Sequence, residues 1–243
     1  MIKIIQDGIK NRAEIFASVT EKPNVEGIVS DILQTVKAEG DKALFAYAEK
    51  FDKAVLSSLR VTDEEIAQAV ASVEPEFLEV LKKASANIRE YHELQKRKGF
   101  ELVREGGVVV GQKVLPIERV GLYVPGGTAS YPSTVLMDAI PAIVAGCERV
   151  VMVSPPNKEG KINPVILASA YVAGVKEIYK VGGAQAIGAL AYGTESVPKV
   201  DKIVGPGNAF VAEAKRQVFG EVSIDMIAGP SEILVVEIGR AHV

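Results

Sequence analysis

EIYKVGGAQAIGALAY, residues 177–192, contains one complete unit of the fold. Residues 177–181 have the apolar, β-rich character of a short strand. Gly182-Gly183 breaks it, and 184–192 is a run of helix-forming apolar residues. The same rhythm extends in both directions. Strands are expected at 119–124, 149–153, 202–204 and 222–224, and helices at 132–144, 164–173 and 209–218. Strand and helix alternating across short loops indicate βαβ units and a parallel sheet. The strands are rich in Val and Ile with little alternation, as expected when helices cover both faces of the sheet. The fold class is therefore α/β: a parallel Rossmann-like sheet with helices on both faces, preceded by a helical N-terminal segment and a β-hairpin.

The region before the alternation reads differently. Apolar residues recur at helical spacing over 24–37 and 40–50. Thr62 and Glu65 form a capping box ahead of Ile66, Ala69 and Val70. Pro75 suits the first turn of a further helix, an amphipathic rod carrying Phe77, Leu81, Ala84, Ile88, Tyr91 and Leu94 and ending at Gly99. Residues 100–104 and 108–112 flank Glu105-Gly106-Gly107 and read as a hairpin with a glycine turn. The expected organisation is 1–98, a helical part of an incomplete first domain; 99–231, the Rossmann-like domain; 232–236, the start of a remainder; and 237–243, a non-native tail.

Composition narrows the function. The 243 residues carry a net charge of −3 with acids and bases interspersed, so no basic stripe exists for nucleic acid. No apolar run reaches the roughly 18 residues of a membrane span, and no signal-peptide core precedes Lys10. A cytoplasmic protein is the default expectation. Cys147 is the only cysteine, which rules out an internal disulfide and a cysteine zinc site, and it reads as an inert buried or half-buried thiol. Only two histidines occur, His92 on a helix face among charged residues and His242 in the tail.

Chemistry is suggested by glycine at successive strand ends: Gly121 through Gly126-Gly127, Gly182-Gly183, Gly205-Pro206-Gly207-Asn208, and Gly229-Pro230-Ser231-Glu232. Ligands of open parallel sheets sit beyond the carboxyl ends of the strands, and a helix N-terminus favours a pyrophosphate. Neither standard phosphate signature is present: Ala189 and Leu190 stand where a P-loop needs Lys and Ser/Thr, and no GxGxxG opens a helix. Four polar residues lie in these loops, each with two readings. Gln185 could bond a cofactor amide or ribose hydroxyl, or cap its helix. Asn208 could do the same, or serve as an N-cap. Tyr123 could stack on a nicotinamide or adenine ring, or pack in the core. Ser231 could touch substrate, or belong to a turn.

Taken together, Tyr123-Val124-Pro125-Gly126-Gly127, Tyr131-Pro132-Ser133, Gly182-Gly183-Ala184-Gln185-Ala186, Gly205-Pro206-Gly207-Asn208 and Ala228-Gly229-Pro230-Ser231-Glu232 resemble histidinol dehydrogenase over nearly all of residues 1–236. The resemblance implies a homodimeric zinc enzyme of histidine biosynthesis. It oxidises L-histidinol to L-histidine through the aldehyde with two NAD+. The resemblance also assigns NAD contacts to Tyr123, Gln185 and Asn208 and a substrate contact to Ser231. The family's zinc ligands (Gln, His, Asp and a late His) and its Glu-His acid–base pair have no counterpart in this sequence, so no catalytic or metal residue is carried over and the chain alone is expected to be inactive. Residues 237–243, EIGRAHV, do not resemble the family's sequence beyond the Gly-Pro-Ser-Glu strand. They read as the translation of a sequencing-library adapter, with a cloning scar or a true terminus as alternatives. Two other readings stand beside this one: a dinucleotide-binding module without catalysis, and a dehydrogenase of another alcohol.

Overall fold

The computed structural model describes residues 24–126 and 131–227. The sheet is five-stranded and parallel, built from β3 (Arg119–Tyr123), β4 (Arg149–Ser154), β5 (Glu177–Lys180), β6 (Lys202–Val204) and β7 (Ser223–Ile224). Two short strands come earlier in the chain, β1 (Phe100–Val103) and β2 (Val109–Gln112). The order across the sheet is β5-β4-β3-β6-β7, so the chain winds outward from β3 in one direction and then, from β6, in the other. The reversal falls between β3 and β6, whose residues Val120, Gly121 and Leu122 pair with Lys202, Ile203 and Val204. A doubly wound sheet opens a crevice at that switch, because the loops leaving the two strands turn to opposite faces.

Helices cover both faces. α1 (Glu26–Glu39) and α2 (Asp41–Tyr47) lie on the same side as α7 (Gly183–Tyr192) and α8 (Ala209–Val218). Val29, Leu33, Val36 and Leu44 are buried there with Ile187, Leu190, Val211 and Ile203. On the other face, α3 (Asp63–Ser72) and α4 (Pro75–Glu93) pack over α5 (Pro132–Ala145) and α6 (Pro164–Ala173), burying Ile66 and Leu81 with Leu136, Ile140 and Ile166. The described helices before residue 98 are thus an outer layer over this sheet, and Val29, Ile32, Leu33 and Val36 of α1, Ala43 and Leu44 of α2 and Ile66 and Ala69 of α3 are buried within the chain.

Several sequence expectations take definite form. Thr62 accepts from the Glu65 amide at 3.2 Å and Glu65 accepts from the Thr62 amide at 2.9 Å, which is the capping box. The helix expected over 40–50 is α-helical only to Tyr47 and continues as a π-helical turn, Ala48–Asp52, closed by Lys53 at φ 59°. The rod from Pro75 stops at Glu93, short of Gly99, and its last apolar residues, Tyr91 and Leu94, are exposed. The hairpin pairs Phe100 with Gln112 through Val103 with Val109 and turns at Gly106 and Gly107, both at positive φ. Among the described residues nothing covers it: Phe100, Leu102, Val103, Val108, Val109 and Val110 are all exposed.

One feature was not legible in sequence. The segment before α3 runs along the edge of β5, with the Lys180 amide donating to Leu59 at 2.7 Å and the Val61 amide to Ile178 at 2.9 Å. This antiparallel contact closes an edge that would otherwise present unpaired backbone groups. A second long-range tie fixes the start of α2. Its first amide, on Asp41, donates to Glu195 at 2.7 Å, while the Asp41 carboxylate accepts from Thr194 (2.6 Å) and from the Ser196 amide (3.2 Å). A carboxylate from a distant loop takes the place of an N-cap here, answering an orphan amide at the positive end of the helix. No helix among the described residues is long and apolar enough to cross a membrane.

Candidate functional site

Beyond the carboxyl ends of the strands lies a cleft of about 480 Å³. Tyr123 ends β3 and Gly126 follows it into the cleft, Pro155 follows β4, Gly183 and Gln185 follow β5, and Asn208 follows β6. The wall opposite the strand ends comes from Ile28, Phe51 and Asp52. Three residues singled out from sequence, Tyr123, Gln185 and Asn208, therefore line a single cavity although 85 positions separate the outermost two. Ser231 lies outside the described residues, as do Gly127, the Gly229-Pro230 turn and the tail from 237.

The three residues are held differently. Tyr123 is almost fully buried, and its hydroxyl accepts the Gly183 amide at 3.1 Å. Burial raises the phenol above its ordinary range, with the Gly183 contact opposing. The residue thus ties the end of β3 to the first turn of α7 rather than offering an open stacking face. Gln185 sits in that first turn with 3% exposure, and its amide makes no hydrogen bond among the described residues. The helix has no side-chain cap, so Gln185 is not spent on capping. The buried unpartnered side-chain atoms among the described residues belong to Asp52 and Asp138 and not to Gln185, so this amide opens onto the cleft and keeps its donors and acceptor for a ligand. Asn208 is the N-cap of α8, accepting from Phe210 (3.0 Å) and Val211 (3.1 Å). The capping reading is fulfilled by its oxygen alone, and its NH2 group keeps two donors.

Two glycines of these loops combine positive φ with a close approach. Gly205 has φ +118°, and a Cβ there would lie 2.2 Å from the Tyr123 carbonyl. Gly183 has φ +65°, and its Cβ would press on the Gln185 amide oxygen at 2.8 Å. The first leaves room for β3 and β6 to converge at the switch, and the second leaves Gln185 its place.

Beneath the Gly205 loop is a buried charge cluster that the sequence did not reveal. The Lys215 ammonium, 2% exposed, donates to the Gly205 carbonyl at 3.0 Å and to Asp225. Asp225 accepts the Gly205 amide at 2.9 Å. Asp138, on α5, has a buried carboxylate oxygen without a partner, and its pKa rises to about 7, mainly through burial, with Asp225 adding and Lys215 opposing. Lys215 thus clamps the loop that carries Asn208. The other residue missed from sequence is Asp52, which also has a buried carboxylate oxygen without a partner and a pKa raised to about 6 by burial. Between Lys50 and Lys53 it reads as a solvated surface acid. The π-helical turn is what brings it to the cleft.

No group of three or more His, Cys, Asp or Glu residues capable of holding a metal ion exists among the described residues, so they do not fit a zinc site. Cys147 is half-buried, and burial pushes its thiol up. His92 lies on α4, bonded to Gln95 at 2.7 Å and far in sequence from the cleft residues.

A family model described as histidinol dehydrogenase matches residues 17–242. The chain is 55% identical over 234 residues to a histidinol dehydrogenase of Geobacillus kaustophilus, covering 96% of this chain and 54% of that protein. It is 54% identical to one of Clostridium acetobutylicum over 97% of this chain and 56% of that protein. The crystal structure of histidinol dehydrogenase from Elizabethkingia anophelis superposes with a TM-score of 0.85 at 43% identity, over 95% of this chain and 53% of that one. The chain spans about half the length of the curated relatives it matches.

Proposed function

Because the chain belongs to the histidinol dehydrogenase family, we propose that its cleft is the NAD site of an enzyme oxidising L-histidinol to L-histidine in two steps, the closing reactions of histidine synthesis. The observation that carries this reading is the convergence of Tyr123, Gln185 and Asn208 on one cavity at the strand-order switch. A dinucleotide suits that place. Tyr123 takes up the Gly183 amide, while the remaining first-turn amides of α7 have no intrahelical acceptor and stand beside the cleft, a setting that favours a pyrophosphate. Gln185 offers both a donor and an acceptor to a carboxamide or ribose hydroxyl. Asn208 offers its NH2 group while its oxygen holds α8 in place.

When bound, NAD+ supplies the hydride acceptor. The residues of this chain bind and orient it, and the apolar wall of Ile28, Ile32, Phe51 and Phe210 keeps water from it. Ser231 is proposed as a substrate contact. Zinc ligands and the acid–base groups belong, in this reading, to other parts of the whole enzyme, which is a cytoplasmic homodimer. The test is NADH formation by the full-length protein with L-histidinol, before and after chelation of zinc. Zinc-dependent turnover with histidinol and none with other amino alcohols supports the proposal. NAD binding with no turnover, and no metal effect, favours a stand-alone dinucleotide-binding module instead.

A further inference from the structure

Among the described residues Asp52 is the one acid in the wall of the cleft, and it is unusually placed. One of its carboxylate oxygens is fully buried without a partner. Its sequence neighbours do not neutralise it: the Lys50 ammonium lies over the Phe51 ring at 5.2 Å, and the Lys53 ammonium donates to the Lys50 carbonyl at 2.9 Å. No ion pair to Asp52 exists among the described residues. The position is also held rigidly. Tyr47 and Phe51 stack with centroids 5.4 Å apart and planes 4° from parallel, the π-helical turn ends in left-handed Lys53, and Glu195 and Thr194 pin the start of α2. A half-buried carboxylate with one oxygen sealed off without a partner, held by a fixed π-helical turn, has the marks of a binding group, since such turns are rare and gather at functional sites.

Of the parts of a dinucleotide, the phosphates are repelled by this carboxylate. The apolar patch beside it, Phe51 with Ile28, Ile32 and Phe210, suits the uncharged purine better than the cationic nicotinamide. The group next to the purine is a ribose diol, whose two adjacent hydroxyls match the acceptor pattern of a carboxylate. Resting on the NAD reading of the cleft, we infer that Asp52 receives the 2′,3′-diol of the adenosine ribose and so makes the site select NAD over NADP. A 2′-phosphate there would remove a donor and set two anions together. The burial that raises the acid toward neutral pH is consistent with a group whose partners arrive with the ligand.

The experiment is calorimetric titration of this chain with NAD and with NADP, for the parent, Asp52→Asn, Asp52→Ser and Gln185→Ala. The parent should bind NAD at least tenfold more tightly than NADP. Both Asp52 variants should weaken NAD severalfold and tighten NADP, lowering the preference roughly tenfold, the value of one charge-assisted hydrogen bond. A merely structural Asp52 would weaken both ligands equally, and an unchanged ratio in both variants overturns the inference. If Gln185→Ala weakens NAD while the Asp52 variants leave the ratio alone, only the role of Asp52 fails. If the parent binds no NAD, or Gln185→Ala has no effect, the cleft reading fails and this inference with it.

Discussion

Lys215→Met should be among the most damaging single changes in this chain. Lys215 is 2% exposed, and its ammonium holds both the Gly205 carbonyl and the Asp225 carboxylate, while Asp138 lies close enough to feel its charge. Methionine is of similar length and keeps the packing, so the loss is electrostatic. Removing one partner of a buried pair costs about 3–5 kcal/mol, because the other charge stays behind. The lower end applies, since Asp225 is 30% exposed and keeps the Gly205 and Met226 amides as donors. For a domain of this size about 1 kcal/mol moves Tm by roughly 2–4 °C, so a fall of roughly 6–12 °C is expected. The readout is thermal unfolding at neutral pH followed by circular dichroism. Lys215→Met with Asp225→Asn should lose clearly less than the sum of the single changes, because the uncompensated carboxylate is gone. A shift under about 2 °C, or strict additivity, would refute the reasoning that these charges hold one another and the loop.

The same geometry has three other measurable consequences. Asp138, folded near pKa 7 against 3.8 when free, binds its proton more tightly in the native state. Its contribution is therefore most favourable below about pH 4 and is lost as pH rises toward 7, so Asp138→Asn should gain on the order of 2–4 kcal/mol over the parent at pH 8 and nothing near pH 3.5, as read from paired urea titrations. Gln185→Ala should reduce NAD affinity without lowering Tm by more than a degree or two. Asn208→Ala should reduce both, because it also removes an N-cap worth about 1 kcal/mol. The uncovered hairpin and the end of α4 should make this chain associate with itself, and Leu102→Lys with Val109→Lys should shift sedimentation velocity toward monomer. A monodisperse parent would count against that.

What the sequence disclosed and what it withheld have a common physical origin. Strand, glycine and helix succeed one another with local signals, so the parallel sheet, the capping box at Thr62 and the hairpin at Gly106-Gly107 were readable. Gln185 and Asn208 were readable as candidates because a polar residue beside a glycine at a strand end has few uses. Tyr123 was found by the same signal, yet its hydroxyl bond to Gly183 depends on a neighbour 60 positions away. Asp52, Asp138 and Lys215 were missed because burial makes them distinctive, and burial is decided by distant elements. In sequence Asp52 and Lys215 are ordinary charged residues among other charges, whereas Asp138 is the single charge in the apolar run 132–145, a signal that could have marked it. The π-helical turn that aims Asp52 has no pattern of its own, and the edge contact of Leu59 and Val61 with β5 joins residues more than 100 positions apart.

The most direct test of the NAD site is amide chemical-shift mapping by NMR of the isotope-labelled chain titrated with NAD. Shifts concentrated at Phe51 and Asp52, Gly182 to Gln185 and Gly205 to Phe210, with the hairpin and α3 unmoved, are the predicted result. Shifts confined to other surfaces, or none at millimolar NAD, would contradict the claim that this cleft holds the cofactor.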